Sequence, residues 1–175
     1  MQKGMISISI LMLALLLNSC NENEAPPFPV SFELRLLNKN NEPAEIFGLG
    51  EDIKFVFEIT NKTSEDIYLS NFQPELVCPR NSNFFRVFIE SNESGGWADL
   101  GRPCIPINCS YEGAFKIDAN SFRKIEYYWA DGCDSNSELD IGKYKTGFAF
   151  DFEVNGGLYN GMKSSQVFEI RFTVQ

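Results

Sequence analysis

From Val30 onward, apolar and polar side chains take turns along the chain, and this two-residue period limits the fold more than any other feature. Phe32, Leu34 and Leu36 alternate with Ser31, Glu33 and Arg35, and Ile53, Phe55, Phe57 and Ile59 alternate with Lys54, Val56, Glu58 and Thr60. Phe85, Val87 and Ile89 repeat the spacing, and Ile125, Tyr127 and Trp129 stand opposite Lys124, Glu126 and Tyr128. Tyr144, Phe148, Phe150, Phe152 and Val154 share one parity, against Lys143, Lys145, Asp151 and Glu153. Phe168, Ile170, Phe172 and Val174 oppose Glu169, Arg171 and Thr173. Successive side chains of a β-strand point to opposite faces, so each run predicts a strand with one apolar face. No part of this region carries the three-four apolar spacing of an amphipathic helix.

Turn chemistry, rich in Gly, Asn, Asp and Ser, falls between the runs at 38–41, 48–52, 61–66, 92–96, 118–121, 131–140 and 155–161. Seven or eight strands of this kind need a partner for their apolar faces. The expectation is an all-β fold, a two-layered antiparallel β-sandwich over residues 30–175 with its sheets about 10 Å apart. Sixteen phenylalanines, mostly on the inward parity, suit such a core.

The first nineteen residues read as an export signal rather than as structure. Lys3 sits in a short head, residues 6–17 are apolar apart from Ser7 and Ser9, and Leu17-Asn18-Ser19-Cys20 supplies small residues at a cleavage point. A twelve-residue apolar run is too short to cross roughly 30 Å of hydrocarbon as a helix. The tetrapeptide resembles the bacterial lipobox. That resemblance implies cleavage before Cys20, lipid modification of its thiol, and attachment to the bacterial cell envelope. Residues 20–29 then form a tether, polar and acidic before becoming proline-rich. Glu22 and Glu24 resemble the signals that move some lipoproteins outward, which ranks the outer membrane ahead of the inner and leaves its surface and periplasmic sides both open.

Removing residues 1–19, which hold one Lys and no acid, leaves 156 residues and takes the formal net charge from −9 to −10. So acidic a surface repels phosphate backbones and argues against a nucleic-acid partner. It also argues against electrostatic docking on anionic lipid and leaves the acyl chains as the membrane attachment, for which stable anchoring takes more than one chain. Four further cysteines, Cys78, Cys104, Cys109 and Cys133, form an even set in an exported chain, which favours two disulfides of open connectivity. Their spacings of 25, 4 and 23 residues contain no CxxC pair, and the chain has no His. Zinc is the weaker reading.

Gly50-Glu51-Asp52-Ile53, with Phe55, Phe57 and Ile59, leads through Thr60-Asn61-Lys62-Thr63 to Asp66-Ile67-Tyr68-Leu69. This stretch is similar to the B–C hairpin of bacterial immunoglobulin-like domains, including the intracellular proteinase inhibitor family. Leu139-Asp140-Ile141-Gly142-Lys143-Tyr144 resembles the corner that opens strand F in such folds, where a tyrosine hydroxyl bonds back to nearby backbone. The resemblance spans residues 30–175 and implies an immunoglobulin-like sandwich. It also raises an inhibitor of an extracytoplasmic protease as an alternative function, although no inhibitory motif matches residue by residue.

Catalysis finds little support. Without His, Ser-His and Cys-His arrangements are excluded. Lys163-Ser164-Ser165 reads as a polar turn before the last strand. Asp151 and Glu153 share an outward strand face with Lys143 and Lys145, as a solvated charge ladder would. Asp134, Asn136, Glu138 and Asp140 place oxygen ligands at alternate residues, a weak calcium candidate, yet Leu139 and Lys145 stand where an EF-hand needs Gly and Glu. No cofactor is expected. The remaining candidates are aromatics near turns or on solvent parity: Trp97, Tyr111, Tyr128 and Tyr159, which suit carbohydrate stacking or a protein contact. The expectation is a lipid-anchored, non-enzymatic domain that binds a protein or glycan outside the cytoplasm, with contacts made through its loops.

Overall fold

A computed structural model describes residues 27–70, 72, 85–91, 95–103, 114–129 and 138–175. Cys20, Cys78, Cys104, Cys109 and Cys133 lie outside the described residues, as do Tyr111, Asp134 and Asn136.

The described chain is all-β. A three-stranded antiparallel sheet runs β1 (Val30–Leu37), β3 (Lys54–Asn61), β8 (Ser121–Tyr128). A five-stranded sheet runs β2 (Ile46–Phe47), β10 (Lys163–Val174), β9 (Gly142–Glu153), β5 (Arg86–Glu90), β6 (Trp97–Gly101). Within it β2 lies parallel to β10 and the other pairings are antiparallel. A short ladder joins β4 (Ile67–Leu69) to β7 (Phe115–Ile117).

The apolar parity of each long run faces one core. Phe55, Phe57 and Ile59 of β3 are 0% exposed, while Tyr144, Phe148, Phe152 and Val154 of β9 are all buried. Phe32 of β1 stacks on Phe152 of β9 at 4.0 Å between centroids, and Phe57 meets Phe148 and Phe168 edge-on at 5.1 and 5.0 Å. These contacts bring the inner faces of the two larger sheets together. Edge-to-face pairs of this kind contribute about 0.5–1.5 kcal/mol beyond the area they bury.

Ten strands are present among the described residues, against the seven or eight expected. β2, β4 and β7 are only two or three residues long, too short for a two-residue period to register. β10 also begins earlier than its apolar run, so Lys163, Ser164 and Ser165 belong to a strand and not to the turn expected there.

The pairing of β3 with β4 as a hairpin is not what the chain adopts. β3 takes β1 and β8 as partners, whereas β4 takes β7 and a bridge from Leu69 to Val154 beside β9. The cause lies at Asn61, buried at 1% exposure where β3 ends. Its Nδ2 donates to the carbonyls of Glu65 at 2.7 Å, Asp118 at 3.0 Å and Ile117 at 3.3 Å, and its Oδ1 accepts from the Thr63 N–H at 2.9 Å. One side chain thus supplies the hydrogen bonds that the ladder loses at the bend, as buried backbone groups require. Lys116 braces the same bend from outside, 2.8 Å from both Asp66 and Asp118, and those two carboxylates (Asp118 the larger influence) push its ammonium pKa upward.

At the start of β9, the Tyr144 hydroxyl donates to the Asp140 carbonyl at 2.6 Å, the back-bond that the sequence resemblance implied. Its ring stacks on Phe172 at 5.2 Å and is 1% exposed. Burial, with the Asp140 charge nearby, pushes the phenol pKa up, so the hydroxyl stays a donor. Tyr144→Phe is expected to cost about 1 kcal/mol by stranding that carbonyl. Chemical denaturation measures it, and an unchanged midpoint would contradict the role given to this bond.

Candidate binding surface

The outer face of the five-stranded sheet carries the richest side-chain chemistry among the described residues. The register sets Thr173 beside Lys143 and Arg171 beside Lys145 on β10 and β9, then Lys145 beside Phe88 on β5. Trp97 opens β6 opposite Glu90, just after a turn in which the Ser91 N–H donates to the Gly96 carbonyl at 2.8 Å. The Lys145 ammonium lies 4.9 Å from the Trp97 ring centroid and the Arg171 guanidinium 5.9 Å from it. Lys145 also lies 5.6 Å from the Phe88 ring. The half-buried indole is therefore drawn over the sheet face by two cations from strands that are remote in sequence.

The charges around this indole are mostly paired. Glu169 takes Arg171 Nε at 3.1 Å and stands 3.6 Å from Lys145, and Arg171 first, then Lys145, holds its carboxyl below the usual carboxylate range. Lys143 lies 3.5 Å from Glu90. Arg86 donates through Nε to Asp99 at 2.9 Å. Burial pushes the Asp99 carboxyl up, but Arg86 and the Gly101 N–H outweigh it and leave the pKa lowered. Arranged this way, an aromatic plate framed by guanidinium, ammonium and carboxylate groups can stack on a sugar ring or anchor a protein side chain. Its polar neighbours are already oriented for hydrogen bonding.

The expected aromatics do not converge. Tyr128, 37% exposed, stands on the outer face of the other large sheet with the Lys54 ammonium 5.6 Å from its ring. Tyr159 is half-buried in a 3-10 turn (Gly157–Tyr159), packs against the core, and lines a cavity of about 300 Å³ with Phe28 and Lys62. Tyr111 lies outside the described residues. Trp97 lies on a strand, so the contact it offers is a sheet face rather than a loop.

Asp151 accepts from Ser165 Oγ at 2.6 Å and Glu153 lies 3.5 Å from Lys163, while Lys143 and Lys145 of the expected ladder stand beside Glu90 and Glu169 instead. Of the calcium candidates, Asp134 and Asn136 lie outside the described residues; Glu138 and Asp140 are exposed. Among the described residues no three His, Cys, Asp or Glu side chains gather to hold a metal. Phe88, Lys145 and Arg171 were not singled out from the sequence. Their outward parity was visible, but their meeting with Trp97 depends on strand order.

No family model matches the chain, and no curated protein matches it. Among solved structures it is similar to a Northeast Structural Genomics Consortium target, SoR45, at 10% identity and a TM-score of 0.38, over 83% of this chain and 86% of that one. It is also similar to a β-glucosidase from Listeria innocua solved with gluconolactone, at 11% identity and a TM-score of 0.33, over 88% of this chain and 19% of the enzyme. Likeness at that level carries no functional argument.

Proposed function

We propose that this chain is a lipid-anchored, non-enzymatic immunoglobulin-like domain that binds a protein or glycan outside the cytoplasm through the Trp97 face. The sheet order β1-β3-β8 against β2-β10-β9-β5-β6, the parallel β2–β10 pairing and the Tyr144 back-bond support the immunoglobulin-like reading. The lipobox-like Leu17-Asn18-Ser19-Cys20 supports the anchor.

The observation that carries the binding reading is Trp97 on an edge strand, with Lys145 and Arg171 on its ring. Its strand row lies toward the end of the sheets opposite Val30, where the tether enters. The Trp97 row thus lies near the end of the sheets remote from the anchor. Exposed Leu49 and Ile141 stand at that same distal end, at 59% and 68% exposure. The acidic net charge favours a neutral glycan or a protein over a polyanion.

Probing glycan arrays and crosslinked envelope proteins with the wild-type chain and with Trp97→Ala tests the reading. A central aromatic anchor is worth about 2 kcal/mol or more, so the variant is expected to lose roughly thirtyfold in affinity. A partner retained at full affinity by Trp97→Ala would remove this face from the function.

A further inference from the structure

We infer that the membrane is touched twice: at the lipidated cysteine, and at the 155–161 turn, which seats Leu158 in the boundary between headgroups and acyl chains. The inference rests on the lipid anchorage proposed above.

Only six residues separate Cys20 from Pro27, the first described residue. A chain of that length reaches at most about 25 Å. β9 and β10, at twelve residues each, are about 40 Å long. The tether therefore keeps the Val30 end of the sheets within reach of the bilayer at any tilt of the domain. That near end includes Asn61 of β3, Glu153 of β9 and Lys163 of β10 by register and core contact.

The turn between β9 and β10 is built to project an apolar side chain. Gly156, Gly157 and Gly161 hold positive φ angles of 87°, 66° and 79°, a conformation that side-chain-bearing residues rarely adopt. The Gly156 N–H donates to Asn160 Oδ1 at 2.7 Å, and the Gly161 N–H to the Val154 carbonyl at 2.8 Å. On this braced loop Leu158 is 83% exposed, while the adjacent Tyr159 turns back against the core. Beside it the apolar cavity lined by Pro27, Phe28, Pro29, Lys62 and Tyr159 opens where the chain enters the domain. Leucine at a tip, aromatic rings behind it and a lysine at the rim are the side chains that settle at a membrane interface. A fixed second contact orients the domain, so the Trp97 face is held outward rather than swinging on its tether.

Hydrogen exchange of the full acylated protein, reconstituted in phosphatidylethanolamine vesicles with a minor share of phosphatidylglycerol, tests this. The wild-type 155–161 segment is expected to exchange about tenfold more slowly than in Leu158→Ser in the same vesicles. Melting temperatures of the two should match, since the substituted side chain is exposed. Equal exchange in wild type and variant, with Cys20 acylated by mass spectrometry, overturns this inference and leaves the anchor standing. An unacylated Cys20 overturns both. Protection that grows with protein density in the bilayer assigns Leu158 to a second copy of the chain, and that also overturns it.

Discussion

Gly147→Ala is expected to destabilise the domain by about 3–5 kcal/mol, a large share of the roughly 5–15 kcal/mol that holds a typical domain together. Gly147 sits in the middle of β9, paired on one side with Glu169 of β10 and on the other with Arg86 of β5. A Cβ built there runs into the Phe168 carbonyl oxygen and stands 2.9 Å from its carbonyl carbon and 3.0 Å from the Glu169 Cα. The obstacle is backbone on both counts, so no side-chain rotation relieves it. Moving β10 away would break the longest ladder among the described residues. Ala149 shares the same outward parity, two residues on, and is exposed. Ala149→Gly is therefore expected to cost no more than about 1 kcal/mol, the backbone-entropy penalty alone. Denaturant melts of the two variants separate the cases, and near-equal midpoints would contradict the close approach of β9 and β10 at residue 147.

Phe57→Ala is expected to cost a similar amount, about 3–5 kcal/mol, for a different reason. Phe57 is 0% exposed and its ring meets those of Phe32, Phe72, Phe148, Phe152 and Phe168, with centroids between 5.0 and 6.4 Å away. Those rings come from β1, β9, β10 and Phe72, so truncation opens a hole where the two larger sheets meet. Strands tied into ladders on both sides collapse poorly into such a hole, and the cavity cost persists. Phe57→Leu keeps most of the volume and is expected to lose only about 1–1.5 kcal/mol. A midpoint shift at constant denaturant slope is the signature of lost packing. A Phe57→Ala protein within about 1 kcal/mol of wild type would mean the inner faces are not packed as described.

Strand identity was legible wherever a strand was long enough to show its period. The parity of β1, β3, β8, β9 and β10 can be read directly from Phe32, Phe57, Ile125, Phe148 and Phe172, because hydrophobic burial sorts side chains by face. β2 and β7 escaped because two or three residues contain no period, whereas β4 was legible as a strand and only its partner differs. β6 escaped because its sequence, Trp97 to Gly101, is exposed or half-buried throughout and never alternates. Val56 marks a different limit. It lies on the polar parity of β3 yet is 1% exposed, because Arg35 and Glu126 stand opposite it. The ion pairs Arg35–Glu58 at 2.8 Å and Lys54–Glu126 at 3.0 Å run across that face and lay their aliphatic stems over the valine.

The binding surface was legible only as a residue type. Trp97 stands out in the sequence, but its partners lie 48 and 74 residues further along the chain, at Lys145 and Arg171. Nothing local announces that β6 and β10 share one sheet. The order arises from long-range pairing, where loop closure and core burial decide between arrangements that each strand alone would accept. The same holds for Asn61: an asparagine at a strand end predicts a turn and the local Glu65 carbonyl as a partner, whereas its bonds to the Ile117 and Asp118 carbonyls depend on where β7 arrives.

Intact mass spectrometry of the mature protein, with sequencing of its first peptide, tests the central claim most directly. The account predicts a chain that starts at Cys20, lacks residues 1–19, and is heavier than the 20–175 sequence by diacylglycerol, with or without a further N-acyl group. A chain that retains residues 1–19, or begins at an unmodified Cys20, would contradict it.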